Sequence, residues 1–89
     1  MAEIDRESAI PPYRQLYEIL KEKISSGEIA PGRRLPSELT LEAEYELSRD
    51  TIRKAVGLLR DEGLVETVPG LGIAVKRPGP GGADEASGT

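Results

Sequence analysis

The sequence predicts a mainly α-helical domain that ends in a small β-hairpin. Three segments between residues 12 and 62 carry apolar residues at helical spacing, and each is bounded by helix start or stop signals. Two short extended runs, residues 64–68 and 73–76, follow on either side of the turn sequence Pro69-Gly70-Leu71-Gly72. Three helices and a two-stranded hairpin in this order are typical of a winged helix-turn-helix domain.

The first helix is predicted to open at Ile10-Pro11-Pro12 and to stop before Gly27. Its apolar stripe, at helical spacing, consists of Tyr13, Leu16, Tyr17, Leu20 and Ile24. Aromatic residues on the apolar face of a helix usually belong to the core. We therefore expect Tyr13 and Tyr17 to pack inside the domain rather than to form a platform on which nucleic-acid bases stack.

The second helix is predicted to begin after Ser37, which is placed to cap it, and to run to about Glu46. Leu41 and Tyr45 lie four residues apart and should face the core. Before this helix, residues 33–36 are expected to be short and extended, because Pro36 disfavours helix for the preceding residue.

Ser48 is the predicted N-cap of the third helix, and Gly63 is its predicted stop. The inward face at the positions i, i+3, i+4 and i+7 is formed by Ile52, Ala55, Val56 and Leu59. The side chains left outside are those of Arg49, Thr51, Arg53 and Lys54.

Length and composition allow one small domain. The chain has 89 residues, which suffice for a single modest core, with no Cys and no His. This composition excludes disulfides, imidazole acid–base chemistry and the usual zinc sites, so we expect neither an enzyme nor a cofactor or metal. Lacking long apolar runs, the chain should be cytoplasmic. The predicted organisation is a flexible arm at 1–9, the domain at 10–77 and a disordered Pro/Gly-rich tail at 78–89.

The formal charge of −4 is unusual for a protein that binds DNA. Residues 1–8 and 78–89 each contribute −2, so residues 9–77 are neutral overall. The segment of the second helix is acidic, whereas the third carries four basic residues against two acidic ones between residues 49 and 61. This asymmetry indicates the third helix as the face that meets DNA.

The residue types on the third helix suit the major groove of DNA. A guanidinium can bridge the two acceptors of guanine, and Arg49 and Arg53 are spaced to address adjacent base pairs. The helix N-terminus with the hydroxyls of Ser48 and Thr51 can hold a phosphate. Arg34 lies before the second helix, where a contact with the DNA backbone is expected, and Lys54 is a further candidate for contact with the groove. The alternative for each arginine is a surface ion pair, for example Arg49–Glu46 or Arg53–Asp50.

From Pro12 to about Arg77 the chain resembles the N-terminal DNA-binding domain of GntR-family bacterial transcription regulators. The matching residues are, in order, Pro12-Tyr13, Gln15-Leu16, residues 27–38 (GEIAPGRRLPSE), Leu41, Glu44-Tyr45, residues 48–55 (SRDTIRKA), residues 63–65, and Gly70 with Gly72. The resemblance implies a three-helix winged fold, dimeric binding to an inverted repeat and usually repression. It also implies that Arg49 and Arg53 read the groove, that Thr51 holds the backbone and that Gly70 approaches the minor groove. Within the family, the chain is expected to belong to the HutC-like branch, which includes repressors of plasmid transfer genes.

The chain departs from the family pattern at several positions. Leu39 replaces an arginine that often contacts DNA, so that contact is expected to be lost. Glu46 stands where Gly or Asn commonly makes the turn between helices, and a left-handed residue there costs about 1–2 kcal/mol. The tip of the hairpin carries Pro69 and Leu71 instead of polar residues, which predicts weaker contacts there.

The favoured function is sequence-specific DNA binding by a transcriptional regulator, most often a repressor. The alternative is a winged-helix module for protein–protein interaction, which the acidic total charge, the apolar hairpin tip and Leu58 would suit. Family members normally continue into a ligand-sensing or dimerising domain. The residues after Arg77 are not expected to form one, so we expect either an excised DNA-binding domain or a natural short form. We therefore expect a monomer in isolation and a homodimer on DNA, and no effector can be assigned.

Overall fold

Three α-helices precede an antiparallel β-hairpin in the computed structural model, which describes residues 4–76. The elements are α1 (Pro12–Ser25), α2 (Glu38–Tyr45), α3 (Arg49–Asp61), β1 (Val65–Val68) and β2 (Gly72–Val75). The predicted fold class, three helices with a two-stranded wing, is thereby confirmed. The tail predicted at 78–89 lies outside the described residues.

Side-chain caps set the starts of the second and third helices. The Ser37 hydroxyl oxygen accepts a hydrogen bond from the backbone N–H of Thr40 at 3.1 Å, and the Ser48 hydroxyl oxygen accepts one from Thr51 at 3.2 Å. Each cap satisfies a backbone donor that the helix leaves unpaired and contributes about 1 kcal/mol. Both caps stand where the sequence predicted them.

The core lies where α1 and α2 pack on the inner face of α3. The buried apolar side chains are those of Leu16, Tyr17, Leu20, Leu35, Leu41, Tyr45, Leu47, Ile52, Ala55, Val56, Leu59, Val65, Ala74 and Val75. Tyr17 is a core residue as predicted. Tyr13, in the first turn of α1, is only half-buried, so its predicted place inside the domain is only partly observed. Leu58 is also half-buried and packs against the core, so it is not the free apolar side chain that the interaction-module alternative assumed.

The hairpin, which we call the wing, is joined to the body through the segment before α2. Val65 pairs with Val75 and Val68 pairs with Gly72. The predicted extended segment forms a bridge between Arg34 and Ala74. Two backbone hydrogen bonds of 2.8 Å, from Gly32 N to Val75 O and from Leu35 N to Ile73 O, extend this pairing. The wing is thus held beside the start of α2.

Residues 4–9 contact the helices. The Arg6 guanidinium donates hydrogen bonds from Nη2 to the backbone oxygens of Tyr45 at 2.9 Å and Glu46 at 2.7 Å, at the end of α2. The Gln15 side chain accepts from Asp5 N and donates to Asp5 O. Ile4 packs against the core. These contacts, which the prediction of a flexible arm at 1–9 did not include, join the N-terminal segment to the turn between α2 and α3.

The turn between α2 and α3 depends on Glu46, whose φ of 56° places it in the left-handed region. A residue with a Cβ is strained there, as the sequence predicted, while Gly is not. Replacement by Gly also raises the entropy of the unfolded chain, which offsets part of the gain. We expect Glu46→Gly to increase the free energy of unfolding by about 0.5–1 kcal/mol, measured by urea denaturation.

The matched control for this substitution is Glu44→Gly, two residues earlier and within α2. Gly in a helix interior is destabilising by about 1 kcal/mol relative to Ala, so this variant should lose stability. A loss of stability in both variants would show that the left-handed geometry at Glu46 carries no strain.

A polar contact joins α1 to the end of α3. The Tyr17 hydroxyl donates a hydrogen bond to the Glu62 carboxylate, and Lys21 Nζ lies 3.5 Å from Glu62 Oε1. The hydrogen bond from Tyr17, with the charge of Lys21, lowers the pKa of Glu62 below its ordinary value of 4.5. A carboxylate whose pKa is lower in the folded state stabilises the protein above its unfolded pKa, and this contribution is lost as the pH falls through the folded pKa.

We therefore expect Tyr17→Phe to lower the melting temperature at neutral pH by about 4–8 °C, through loss of the hydrogen bond. The difference between Tyr17→Phe and the parent chain should shrink only as the pH falls below 4.5 and through the lower pKa that Glu62 has in the folded protein, where its carboxylate becomes protonated. A difference that stays constant over this range, measured by circular dichroism melting, would contradict the role of the Glu62 charge.

Candidate nucleic-acid interface

The N-terminus of α3 is capped and open to solvent. Ser48 Oγ and Thr51 Oγ1 lie 2.9 Å apart, so the two hydroxyls form one polar group on the first turn. The backbone N–H groups of a first helical turn lack partners within the helix and carry the positive end of its dipole. This end of α3 is therefore suited to a phosphate, and the role of Ser48 and Thr51 in holding one stays a prediction.

Arg49 and Arg53 project from the exposed face of α3, one turn apart. Their side chains are 54% and 60% exposed. The opposite face of the helix carries the fully buried Ile52, Ala55 and Leu59, which fix the orientation of the helix on the core. The apolar periodicity of α3 thus determines which way the two arginines point.

Both arginines pair with carboxylates of α2. Arg49 Nε donates to Glu42 Oε2 at 2.9 Å and lies 3.8 Å from Glu38 Oε1, while Arg53 Nε donates to Glu38 Oε2 at 3.2 Å. The hydrogen bond to Glu42 raises the pKa of Arg49. The pairs suggested from the sequence, Arg49–Glu46 and Arg53–Asp50, are therefore not the ones formed. Because α2 packs against α3, the two arginines pair with carboxylates of α2 rather than with those that are near them in sequence.

These ion pairs leave the arginines able to bind a ligand. Each is engaged through Nε, and within residues 4–76 their Nη nitrogens make no hydrogen bond to another side chain. Exposed ion pairs contribute little net stability because water screens them and the long side chains lose entropy. A guanine edge or a phosphate can therefore compete with the carboxylates for Arg49 and Arg53.

The Glu42 carboxylate is expected to weaken anion binding by Arg49. Glu42→Gln removes this charge while keeping the side-chain volume, and should raise DNA affinity at low salt by about two- to fivefold, the worth of an exposed ion pair. Glu44→Gln is the matched control, because it removes the same charge from α2 at a residue that is not paired with Arg49. Equal gains in the two variants, measured by fluorescence anisotropy, would show that only the net charge matters.

The three remaining predicted DNA-binding residues are Lys54, Arg34 and Gly70. Lys54 Nζ lies 4.7 Å from the centre of the Tyr13 ring, so a cation–π contact holds it at the start of α1. Arg34 lies in the segment paired with β2, beside Gly72. Gly70 forms the exposed tip of the wing with φ of +80°, a conformation that favours glycine, and a Cβ built there would meet open space.

A cleft of about 530 Å³ lies between α2, α3 and the wing. It is lined by residues of all three elements, among them Arg34, Glu38, Leu39, Arg49, Leu71 and Gly72. Of the predicted site residues, Ser48, Arg49, Thr51 and Arg53 share the first turns of α3, and Arg34 meets Arg49 across this cleft. Lys54 lies apart from the cleft, on the side of α1.

Sequence reasoning missed the contacts between helices. The carboxylates of Glu38 and Glu42 are four residues apart on α2, and the arginines that they meet are four residues apart on α3. Opposite charges at equal helical spacing on two consecutive segments were the signal from which these ion pairs could have been predicted. No comparable signal pointed to the contact of Lys54 with Tyr13.

The helices α2 and α3, the left-handed turn between them and the wing beside them define a winged helix-turn-helix domain. The chain belongs to the family of bacterial regulatory proteins called the gntR family, whose model matches residues 12–75. None of the helices within residues 4–76 combines the length and the apolar character that crossing a membrane requires.

Curated relatives of this chain are named as repressors. It is 40% identical over 75 residues to the HTH-type transcriptional repressor NagR of Bacillus subtilis, covering 84% of this chain and 31% of the relative. It is 39% identical over 66 residues to the mannosyl-D-glycerate transport/metabolism system repressor MngR of Escherichia coli, covering 74% and 28%. The chain thus spans about a third of the length of these relatives.

Solved structures share the fold. YtrA from Sulfolobus acidocaldarius, described as a GntR-family transcription factor, matches with a TM-score of 0.79 and 34% identity, covering 89% of this chain and 83% of that one. The AraR DNA-binding domain, crystallised in complex with the operator ORX1, matches with a TM-score of 0.75 and 35% identity, covering 82% and 94%. Assignment to the HutC-like branch stays a prediction.

Proposed function

We propose that this chain is the DNA-reading part of a transcriptional repressor and that it binds its operator sequence-specifically through α3. The observation that carries the proposal is the exposed pair Arg49 and Arg53, presented one turn apart on a capped helix whose opposite face is buried. The repressor names of its relatives and the AraR domain solved on operator DNA support it.

In this function α3 lies in the major groove and each element has a separate task. Arg49 and Arg53 release the α2 carboxylates and bridge N7 and O6 of guanines. The hydroxyls of Ser48 and Thr51, with the open N-terminus of α3, hold a phosphate that fixes the register of the helix. Arg34 and Lys54 bind phosphates on either side, and the backbone at Gly70 approaches the minor groove.

Repression follows from occupancy of the operator, which excludes RNA polymerase from the promoter. Two copies of the domain, one per half-site, would read an inverted repeat, so the bound form is a homodimer, whereas the isolated chain is a monomer. Such a regulator acts in the cytoplasm and needs no cofactor or catalytic residue for this task.

The test is to select binding sequences from a random library of duplex DNA with the 89-residue chain. The enriched sequence, which we call the selected duplex, is then compared with a scrambled duplex by fluorescence anisotropy at increasing salt. Preference for the selected duplex, with affinity that falls as salt rises, supports the proposal. Failure to enrich any sequence, together with equal and negligible binding to both duplexes, would contradict it and favour a protein-interaction module.

A further inference from the structure

Exposed apolar side chains are concentrated at the cleft between α2, α3 and the wing. Within residues 4–76 the exposed large aliphatic side chains are Ile10 at 51%, Leu39 at 69% and Leu71 at 41%. Leu39 and Leu71 both line this cleft, although they belong to different elements, whereas Ile10 does not. A single exposed leucine is ordinary, but two that meet at a cleft beside charged groups indicate a surface that a ligand covers.

Leu39 lies next to the arginine pair. It follows Glu38, whose two carboxylate oxygens lie 3.8 Å from Arg49 Nε and 3.2 Å from Arg53 Nε. Leu39 stands in the first turn of α2, and its side chain lines the same cleft as Arg49. A ligand that occupies this cleft beside Arg49 therefore also lies close to the leucine side chain.

The charges of the cleft select the kind of ligand. Arg34 and Arg49 line it together with the leucines, and so does Glu38, whose carboxylate is paired with Arg49 and Arg53. The cleft therefore offers an apolar surface beside two guanidinium groups, one of which is paired with this carboxylate. This combination suits a DNA duplex better than an apolar peptide, because phosphates pair with arginines while the groove offers one apolar group. That group is the 5-methyl of thymine, which distinguishes thymine from the other bases in the major groove.

We propose that Leu39 contacts the 5-methyl group of a thymine in the operator, next to the bases that Arg49 contacts. This assignment rests on the proposed function, since it requires α3 in the major groove. Leu39 then determines specificity through an apolar contact. The operator must accordingly have thymine at one position of each half-site.

The experiment replaces each thymine of the selected duplex in turn with deoxyuridine, which lacks only the methyl group. Affinity is measured by fluorescence anisotropy for the parent chain, for Leu39→Ala and for Ile10→Ala, a control that shortens an exposed aliphatic side chain away from the cleft. At one thymine per half-site the parent chain and Ile10→Ala should lose about three- to fourfold in affinity, the worth of one buried methyl group. Leu39→Ala should bind the thymine and deoxyuridine duplexes equally at that position.

Two results would overturn the assignment of Leu39 while leaving sequence-specific binding intact. The first is that replacement of any thymine by deoxyuridine leaves the affinity unchanged, or that the selected duplex contains no thymine. The other is a loss at deoxyuridine that persists unchanged in Leu39→Ala. Failure to select any duplex would instead contradict the proposed function itself, so the two failures are distinguishable.

Discussion

Arg49→Ala should lower affinity for the selected duplex by about 5- to 150-fold, the range expected for loss of a bidentate contact with a guanine. Affinity for the scrambled duplex should fall much less, because nonspecific binding depends on the total positive charge near the phosphates. The preference between the two duplexes therefore decreases. Both affinities are measured by fluorescence anisotropy at one fixed salt concentration.

Arg60→Ala is the matched control for this prediction. Arg60 is an exposed arginine in the last turn of the same helix, so its removal changes the net charge equally but leaves the first turns of α3 intact. It should weaken binding to the selected and scrambled duplexes by similar factors. An Arg49→Ala variant that keeps its full preference for the selected duplex would contradict base reading by this residue.

Leu59→Ala should lower the free energy of unfolding by about 2–5 kcal/mol, the usual cost of removing a large side chain from a packed core. Leu59 has no exposed surface and lies on the inner face of α3, a helix that packs against α1, α2 and β1. Since a domain of this size is stable by only about 5–15 kcal/mol, the loss is a large fraction of the total. Urea denaturation measures it directly.

Leu39→Ala provides the control for the core substitution, since the same atoms are removed from a side chain that is 69% exposed. Its free energy of unfolding should change by no more than about 0.5 kcal/mol. A cost for Leu59→Ala as small as that of the exposed control would show that α3 is not anchored through this face. The orientation of Arg49 and Arg53 would then lack its structural basis.

The helices and their ends could be predicted from the sequence because the signals are local. Ser37 and Ser48 each bond to a backbone group three residues away, so a serine before an apolar periodicity identifies the cap without knowledge of the fold. The buried face of α3 follows from the spacing of Ile52, Ala55, Val56 and Leu59 for the same reason. The strained turn at Glu46 was predicted in another way, from the family resemblance, which has Gly or Asn commonly at this position.

Contacts between distant residues were not predictable in this way. Arg53 pairs with Glu38 across 15 residues of sequence, and Arg6 bonds to the backbone oxygens at the end of α2 across about 40. Such contacts depend on how the elements pack. Opposite charges at equal helical spacing on α2 and α3 are compatible with ion pairs between the two helices, but this spacing does not specify which residues meet. The prediction of a flexible arm at 1–9 did not consider that Arg6 can satisfy carbonyl groups at the end of a helix.

The ion pairs between α2 and α3 bear on how an acidic chain could present the proposed DNA-binding surface. Glu38 and Glu42 neutralise Arg49 and Arg53 in the free protein and hold their guanidinium groups at the exposed face. In the proposed function, phosphates and guanine edges compete with these carboxylates for the two arginines. We expect this competition to keep nonspecific affinity low, so that the sequence preference depends on the contacts with bases.

The most direct test of this account is a nuclear magnetic resonance titration of the isotope-labelled chain with the selected duplex. If α3 and the wing form the interface, the largest shifts should appear in the backbone amide signals of residues 48–54 and 70–72. Signals of Glu18 and Glu22, exposed on α1, should move little. Largest shifts on α1, with residues 48–54 unchanged, would contradict the central claim that α3 reads DNA.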